Sequence, residues 1–218
     1  MGKSARPDRR SSKRGAKVNG HNSKYGPLGV FDSGVGGLSV VSEILKHYPD
    51  ENILYVADQA HVPYGGRPLD EIRAFASGIS RFLVEQRCRA IVMACNISSA
   101  TALTAVASEY PDLPVIGVIQ AAAKYAADSQ ETPVIGVLAT AGTVSTRAYT
   151  STICSENPDA IVHEVPCPKF VPIVEAAATD STEAISACKE YLAPLVKAHC
   201  THVILGCTHY PFLLRALN

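Results

Sequence analysis

The sequence predicts an α/β protein of two pseudo-symmetric open halves with mainly parallel sheets and a cleft between them, preceded by a disordered basic tail. Short apolar runs alternate with helical patterns along the chain, which is typical of βαβ units. The apolar strand pattern at 28–31 returns at 134–138, and each half ends one buried strand in a cysteine, Cys95 or Cys207. The 218 residues are 47% hydrophobic and 18% charged, which is ordinary for a globular protein, and no apolar run is long enough for a membrane helix.

Residues 1–26 form the predicted tail. They hold eight of the 20 Lys and Arg residues and one acid, Asp8, and they have almost nothing apolar to bury. They also lack the apolar core of a signal peptide. The remainder carries 12 basic and 19 acidic residues, so nucleic-acid binding by the folded body is not expected. Seven cysteines without any Cys-x-x-Cys spacing are expected to be reduced thiols in the cytoplasm.

The first half is expected at 27–117 and carries Asp32 and Cys95. It opens with an apolar strand that runs into the glycine-rich turn DSGVGG at 32–37 and then a helix, which is the beginning of a βαβ unit. The loop PYGG at 63–66 is either a clamp over a pocket or an ordinary turn. Up to residue 127, strands are predicted at 28–31, 53–57, 90–93 and 115–119, and helices at 38–47, 69–86, 100–107 and 120–127.

Asp58, at the end of the second strand, allows a dinucleotide-binding alternative in which its carboxylate would bind a ribose. Ser39 occupies the third glycine position of that fingerprint, and Asp32 would place a carboxylate beside the pyrophosphate. Asp32 and Ser33 are better explained as a ligand-binding group and its hydrogen-bonding partner at a strand end.

The second half is expected at 118–218 and carries Thr140 and Cys207. Its strand at 134–138 leads into ATAGT at 139–143, another small and polar strand-end loop. Helices at 144–154 and 181–198 and a strand at 161–165 precede the apolar run that ends in Cys207. Two halves of matching layout, with cysteines 112 residues apart, imply a pseudo-twofold protein whose two thiols face one cleft.

A lone cysteine in a buried strand is most often a small apolar core residue, and this is the simplest interpretation of Cys95. Its recurrence in the second half favours a chemical role. Inversion of a carbon stereocentre by proton transfer needs a base on one face and an acid on the other, and a thiol can serve as either. Asp32 beside Cys95, and Glu175 or His209 beside Cys207, are candidates to adjust each thiol's proton affinity. No motif indicates pyridoxal phosphate or a metal ion, so no cofactor is expected.

Five motifs resemble, in order, those of bacterial glutamate racemases: FDSGVGGL at 31–38, PYG at 63–65, ACN at 94–96, CPKFVPIVE at 167–175 and LGCTHYP at 205–211. The match spans nearly everything from residue 28 onward. Members of that family are cofactor-independent two-thiol racemases that supply D-glutamate for peptidoglycan. The resemblance implies glutamate as the substrate, with the aspartate and hydantoin racemases of the superfamily as alternatives. A homodimer is also expected.

The resemblance implies specific roles for the matching residues. Cys95 would take the proton from D-glutamate and Cys207 would take it from L-glutamate. The substrate site would be lined by Asp32, Ser33, Tyr64, Gly65, Asn96, Thr208 and His209, with Thr140 and Thr143 as additions.

Two departures from the family pattern affect these expectations. The family usually has Thr after Cys-Asn, whereas this chain has Ile97, so a hydrogen bond to the substrate would be lost unless Ser98 or Ser99 replaces it. The family usually adds a strand and a helix beyond the position of Asn218, and without them an apolar strand edge and helix surface would be uncovered. A non-catalytic binding protein, with DNA gyrase as the partner to test, is the alternative of another class.

Overall fold

The computed structural model of the chain describes residues 26–128 and 132–218. The predicted tail at 1–26 therefore lies outside the described residues, except for Gly26. Within the described ranges, no helix is both long enough and apolar enough to cross a membrane.

Two parallel sheets organise the described part of the chain. The strands are β1 (Leu28–Asp32), β2 (Ile53–Ala57), β3 (Ala90–Met93), β4 (Val115–Gly117), β5 (Val134–Ala139), β6 (Ile161–Pro166) and β7 (His202–Gly206). The first sheet has the order β2-β1-β3-β4 and the second has the order β6-β5-β7. In each sheet the first strand pairs in parallel with both the second and the third, so β1 corresponds to β5 and β3 to β7. The predicted α/β fold with two pseudo-symmetric halves is confirmed.

Helices connect the strands, as parallel pairing requires. They are α1 (Leu38–His47), α2 (Leu69–Glu85), α3 (Asn96–Glu109), α4 (Val118–Ala127), α5 (Ala141–Thr146), α6 (Ala148–Glu156), α7 (Phe170–Glu175), α8 (Thr182–Lys197) and α9 (Leu214–Leu217), with a 3-10 helix at Tyr210–Leu213. In the first half α2 packs on α3, and in the second half α4 packs on α6.

Each half buries its own apolar core. Phe31 and Met93 are fully buried between the first sheet and helices α2 and α3. In the second half, Leu138 and Phe170 belong to a cluster with α8, and Ile135 belongs to a cluster with α4 and α6. These separate cores hold the two strand-end regions in place from opposite sides of the cleft.

The helix α1 is the least covered of the longer helices in the described chain. It has no buried residue, although Val41 and Ile44 contact the sheet. Leu38 is 48% exposed, and Tyr48, directly after the helix, is 67% exposed. The domain boundaries stay predictions.

The apolar run predicted as a strand at 115–119 is only partly a strand. β4 ends at Gly117 and α4 begins at Val118. Ile119 is fully buried in the α4 cluster, so the apolar pattern continues without a break from a strand into a buried helix. Periodicity alone does not separate those two states in so short a run.

Two further helices begin earlier than predicted, and both begin directly after a strand-end residue of the cleft. α3 begins at Asn96 with Cys95 as its N-cap, and α5 begins at Ala141 with Thr140 as its N-cap. The Thr140 hydroxyl accepts a hydrogen bond from the Thr143 N–H at 3.3 Å. The predicted helix at 144–154 is in fact α5 and α6, separated by Arg147, whose φ of 57° is left-handed.

Candidate active site

A narrow cavity of about 30 Å³ lies between the halves at the carboxyl ends of the strands, and it has room for about two water molecules. The first half lines it with Ser33, Val62, Pro63, Tyr64, Gly65, Cys95, Asn96 and Ile97, and the second half lines it with Thr140, Thr143, Val171, Gly206, Cys207, Thr208 and His209. The carboxyl ends of parallel strands are where open α/β sheets bind ligands. Both strand-end cysteines therefore face one cavity of the expected kind.

Cys95 connects β3 to the N-terminus of α3 and is 5% exposed. Burial and the nearby Asp32 carboxylate raise the pKa of its thiol to about 11. The side chains of Ser98 and Ser33 and the Ser98 N–H lower the pKa, but by less. The first turn of a helix favours an anion, so the local backbone stabilises the thiolate while burial disfavours it.

Cys207 follows β7 and lies beside His209. Its Sγ is 3.8 Å from His209 Nδ1, and the other ring nitrogen, Nε2, is 2.6 Å from Glu175 Oε1. Burial raises the pKa of the Cys207 thiol, Cys95 and Asp32 raise it further, and the backbone N–H of His209 lowers it. Glu175, His209 and Cys207 thus form a hydrogen-bonding chain that ends at the cavity.

Asp32 lies behind the cavity wall and is fully buried. Its Oδ2 accepts hydrogen bonds from the N–H groups of Gly37 at 2.9 Å and Gly34 at 3.3 Å, and from Thr208 Oγ1 of the other half at 3.3 Å. Burial raises the pKa of the carboxyl, while these N–H groups and His209 lower it. A Cβ on Gly37 would lie 2.6 Å from Asp32 Cβ, so this close turn requires glycine.

The amide of Asn96 is held from the opposite half. Tyr149, on α6, donates a hydrogen bond from its hydroxyl to Asn96 Oδ1 at 2.7 Å, and both side chains are buried. With Oδ1 occupied, the amide NH₂ is the group left to donate to a ligand in the cavity.

Tyr64 is fixed by Asp58, the residue of the dinucleotide alternative. The Tyr64 hydroxyl donates to Asp58 Oδ2 at 2.6 Å, and His61 Nδ1 lies 2.8 Å from Asp58 Oδ1. The His61 ring stacks on Phe75 with centroids 4.0 Å apart. Asp58 therefore braces the loop at 63–66, which supports the clamp interpretation of that loop over the ordinary turn.

Ile97 is buried in an apolar cluster with Tyr64, Ile72 and Cys95, and it also lines the cavity. It contacts the second half closely, because a Cβ on Gly142 would lie 2.4 Å from Ile97 Cδ1. An aliphatic side chain thus forms part of the cavity wall at the position where the family usually has Thr.

Eleven of the residues predicted for the site line the cavity. Asp32 and Glu175 do not, since Asp32 lies behind the wall and Glu175 contacts the cavity only through His209. Sequence reasoning missed four lining residues, Val62, Pro63, Val171 and Gly206, and it missed Tyr149 as a partner of Asn96. Pro63, Val171 and Gly206 lie inside three of the recognised motifs and Val62 directly precedes one of them, which is a usable signal. Nothing in the sequence pairs Tyr149 with Asn96. Among the described residues, no group of three or more His, Cys, Asp or Glu side chains is arranged to hold a metal ion.

Residues 32–218 match the sequence model of the Asp/Glu/Hydantoin racemase family. The chain is 44% identical to a glutamate racemase of Microcystis aeruginosa over 196 residues, which are 90% of this chain and 69% of that protein. It is 42% identical to a glutamate racemase of Corynebacterium kroppenstedtii over 190 residues, which are 87% of this chain and 66% of that protein. The chain thus spans about two thirds of the length of these relatives.

The fold also matches solved structures. The crystal structure of a glutamate racemase from Francisella tularensis in complex with D-glutamate superposes with a TM-score of 0.82 at 36% sequence identity, covering 88% of this chain and 72% of that one.

Proposed function

This chain belongs to the Asp/Glu/Hydantoin racemase family, and we propose that it interconverts L- and D-glutamate by moving the α-proton between Cys95 and Cys207. The observation that carries the proposal is the placement of these two thiols. Cys95 follows β3 and Cys207 follows β7, which are the third strands of their sheets in chain order, and both line the same cavity from opposite halves.

Glutamate is larger than the cavity of about 30 Å³, so the cavity walls must move apart to admit it. In the proposed reaction its α-carbon then lies between the two sulfur atoms. Starting from D-glutamate, the Cys95 thiolate takes the α-proton and becomes a thiol, while the Cys207 thiol gives its proton to the opposite face and becomes a thiolate. L-glutamate reacts with the roles reversed. The two half-reactions are mirror images, which explains why one residue type serves at both positions.

Neighbouring side chains adjust the proton affinity of each thiol. When His209 Nε2–H donates to Glu175, Nδ1 of the neutral ring is free to accept from the Cys207 thiol. On the other side, the buried Asp32 carboxylate opposes a negative charge on Cys95, whereas Ser33 and the α3 N-terminus support it. The site therefore treats its two thiols differently although their strands correspond.

Neutral donors hold the substrate in this proposal. No Lys or Arg is among the described residues that line the cavity, so the carboxylates of glutamate would be bound by hydroxyls, the Asn96 amide and backbone N–H groups. Ser33, Thr140, Thr143 and Thr208 present hydroxyl groups there, and the helix N-termini of α3 and α5 present N–H groups that favour anions.

The experiment that tests the proposed reaction is α-proton exchange in deuterated water, followed by NMR. Incubation with D-glutamate or L-glutamate should replace the α-proton and give both enantiomers, while aspartate should exchange more slowly. Exchange of neither glutamate enantiomer by folded protein would overturn the proposal and favour a binding role.

The biological setting belongs to the same proposal. The product D-glutamate would enter peptidoglycan synthesis in the cytoplasm, so expression of the chain should restore growth of a bacterial strain that requires D-glutamate. We also propose a homodimer, which sedimentation equilibrium would show as about twice the chain mass of 23.1 kDa. The contact with DNA gyrase stays a prediction, and a supercoiling assay tests it.

A further inference from the structure

Ser98 has a buried hydroxyl without a hydrogen-bond partner, close to Cys95. The side chain is fully buried on the first turn of α3, and no described atom, the Cys95 sulfur included, meets the distance and angle of a hydrogen bond to its Oγ. Buried polar groups are nearly always paired, and an unpaired one costs folding free energy. The position of Ser98 in the first turn therefore calls for an explanation.

The neighbouring hydroxyls of α3 are paired in ordinary ways. Thr101 Oγ1 donates to the carbonyl of Ile97 at 2.8 Å, the usual bond of a helical hydroxyl to the residue four positions earlier. Ser99 Oγ donates to Gln120 Oε1 at 3.3 Å, away from Cys95. Ser98 makes neither kind of bond, so its hydroxyl differs from those of the same helix.

The nearby group that changes charge in the proposed reaction is the Cys95 sulfur. Cys95 is the N-cap of α3 and Ser98 is its third helical residue, so the Ser98 N–H and hydroxyl lie on the helix turn next to the sulfur. Both groups lower the pKa of the Cys95 thiol. A thiol is a weak acceptor, whereas a thiolate accepts strong, charge-assisted bonds. The hydroxyl that lacks a partner beside the thiol would gain one as soon as the thiolate forms.

We propose that the Ser98 hydroxyl donates a hydrogen bond to the Cys95 sulfur whenever Cys95 is a thiolate. Ser98 does not line the cavity, so it acts through Cys95 as a positioning residue and makes no contact with substrate. This inference rests on the proposed function, because it assumes that Cys95 acts as a base in glutamate racemisation.

The test compares Ser98→Ala with the matched control Ser99→Ala. The first readout does not need racemase activity: alkylation of Cys95 by iodoacetamide at a fixed pH below its pKa, measured by peptide mass spectrometry. The alkylation rate follows the thiolate fraction. We expect a roughly tenfold or greater loss of rate in Ser98→Ala, and a rate close to that of the unmodified chain in Ser99→Ala.

The second readout uses the primary isotope effect with α-deuterated substrates. Because the two enantiomers have equal free energy, Ser98→Ala must lower kcat/KM equally in both directions. Proton abstraction by Cys95 should become more rate-limiting, so the isotope effect on kcat/KM should rise for D-glutamate and fall toward 1 for L-glutamate. A structural defect would not divide the two directions in this way.

Thermal unfolding completes the experiment. Removal of an unpaired buried hydroxyl should leave the melting temperature of Ser98→Ala unchanged or higher. Equal Cys95 alkylation rates in the two folded variants would overturn the role of Ser98 even when the unmodified chain racemises glutamate. Absence of racemisation by the unmodified chain would overturn the proposed function, while the alkylation rates would still decide the role of Ser98.

Discussion

Tyr149 and Asn96 join the two halves by a 2.7 Å hydrogen bond at the edge of the cavity, with Tyr149 donating from the second half. The bond occupies Oδ1 and leaves the Asn96 NH₂ group to donate to a ligand in the cavity that Asn96 lines. Tyr149→Phe keeps the buried ring and removes only this donor, so the amide should lose its fixed orientation. We expect substrate binding to weaken by about 0.5–1.5 kcal/mol, which raises the KM for glutamate roughly two- to tenfold, with a smaller change in kcat.

Steady-state racemisation kinetics measure this effect. Tyr191→Phe is the matched control, because Tyr191 is also a buried tyrosine but its hydroxyl accepts from the Lys169 N–H outside the cavity. An equal increase of KM in both variants would contradict the role of Tyr149.

Ile97 fills cavity wall with an aliphatic side chain, so a hydroxyl introduced at this position should improve substrate binding. The informative comparison is Ile97→Thr against Ile97→Val, because the two products have nearly the same shape and differ by the hydroxyl. A hydrogen bond from the Thr hydroxyl to a substrate carboxylate should strengthen binding by about 1.5–3 kcal/mol, so the KM of the Thr variant should be lower than that of the Val variant by tenfold or more. Equal KM values would show that the side chain at this position does not reach the substrate.

Glu175 is expected to orient the His209 ring toward Cys207. Glu175→Gln removes the charge while it keeps the size of the side chain. Since the Glu175 side chain is 53% exposed, the loss should be at the low end for a charge-assisted bond, about tenfold in kcat/KM. Glu190→Gln breaks an exposed ion pair with Lys169 and should leave kcat/KM unchanged. Comparable losses in both variants would contradict an orienting role for Glu175.

The pH dependence of the reaction follows from burial of the thiols. Burial raises the pKa of Cys95 to about 11 and also raises the pKa of Cys207, so most molecules have two protonated thiols at neutral pH. A group with a raised pKa gains its reactive anion only as the pH rises. Between about pH 7 and pH 9, log kcat/KM should therefore increase by about 1 per pH unit. Circular dichroism of the product enantiomer measures the rate at each pH. A kcat/KM that does not change over this window would contradict a thiolate base.

The sequence predicted the sheets and most of the cavity because their signals are local or repeated. Buried strands, glycine-rich turns and strand-end cysteines recur in both halves, and the register of parallel strands brings their carboxyl ends together. Partners that cross the cleft could not be predicted in this way. The hydrogen bond between Thr208 and Asp32 and the close contact of Ile97 with Gly142 depend on how two separate cores face one another.

Element boundaries were predicted less well where two signals coincide. The run at 115–119 is apolar throughout although β4 gives way to α4 inside it. Asp58 is a comparable case, because a carboxylate at a strand end fits a ribose ligand as well as a brace for Tyr64. Only the position of the Tyr64 hydroxyl, 2.6 Å from Asp58, distinguishes these two roles.

The central claim is that two thiols, one from each half, exchange the α-proton of glutamate. The most direct measurement is racemisation of D- and L-glutamate by Cys95→Ala and by Cys207→Ala, with Cys188→Ala as a control for a buried cysteine in the core of the second half. Both site variants should unfold at about the temperature of the unmodified chain and should racemise neither enantiomer, while Cys188→Ala keeps its activity. Near-normal racemisation by both site variants would contradict the two-thiol account.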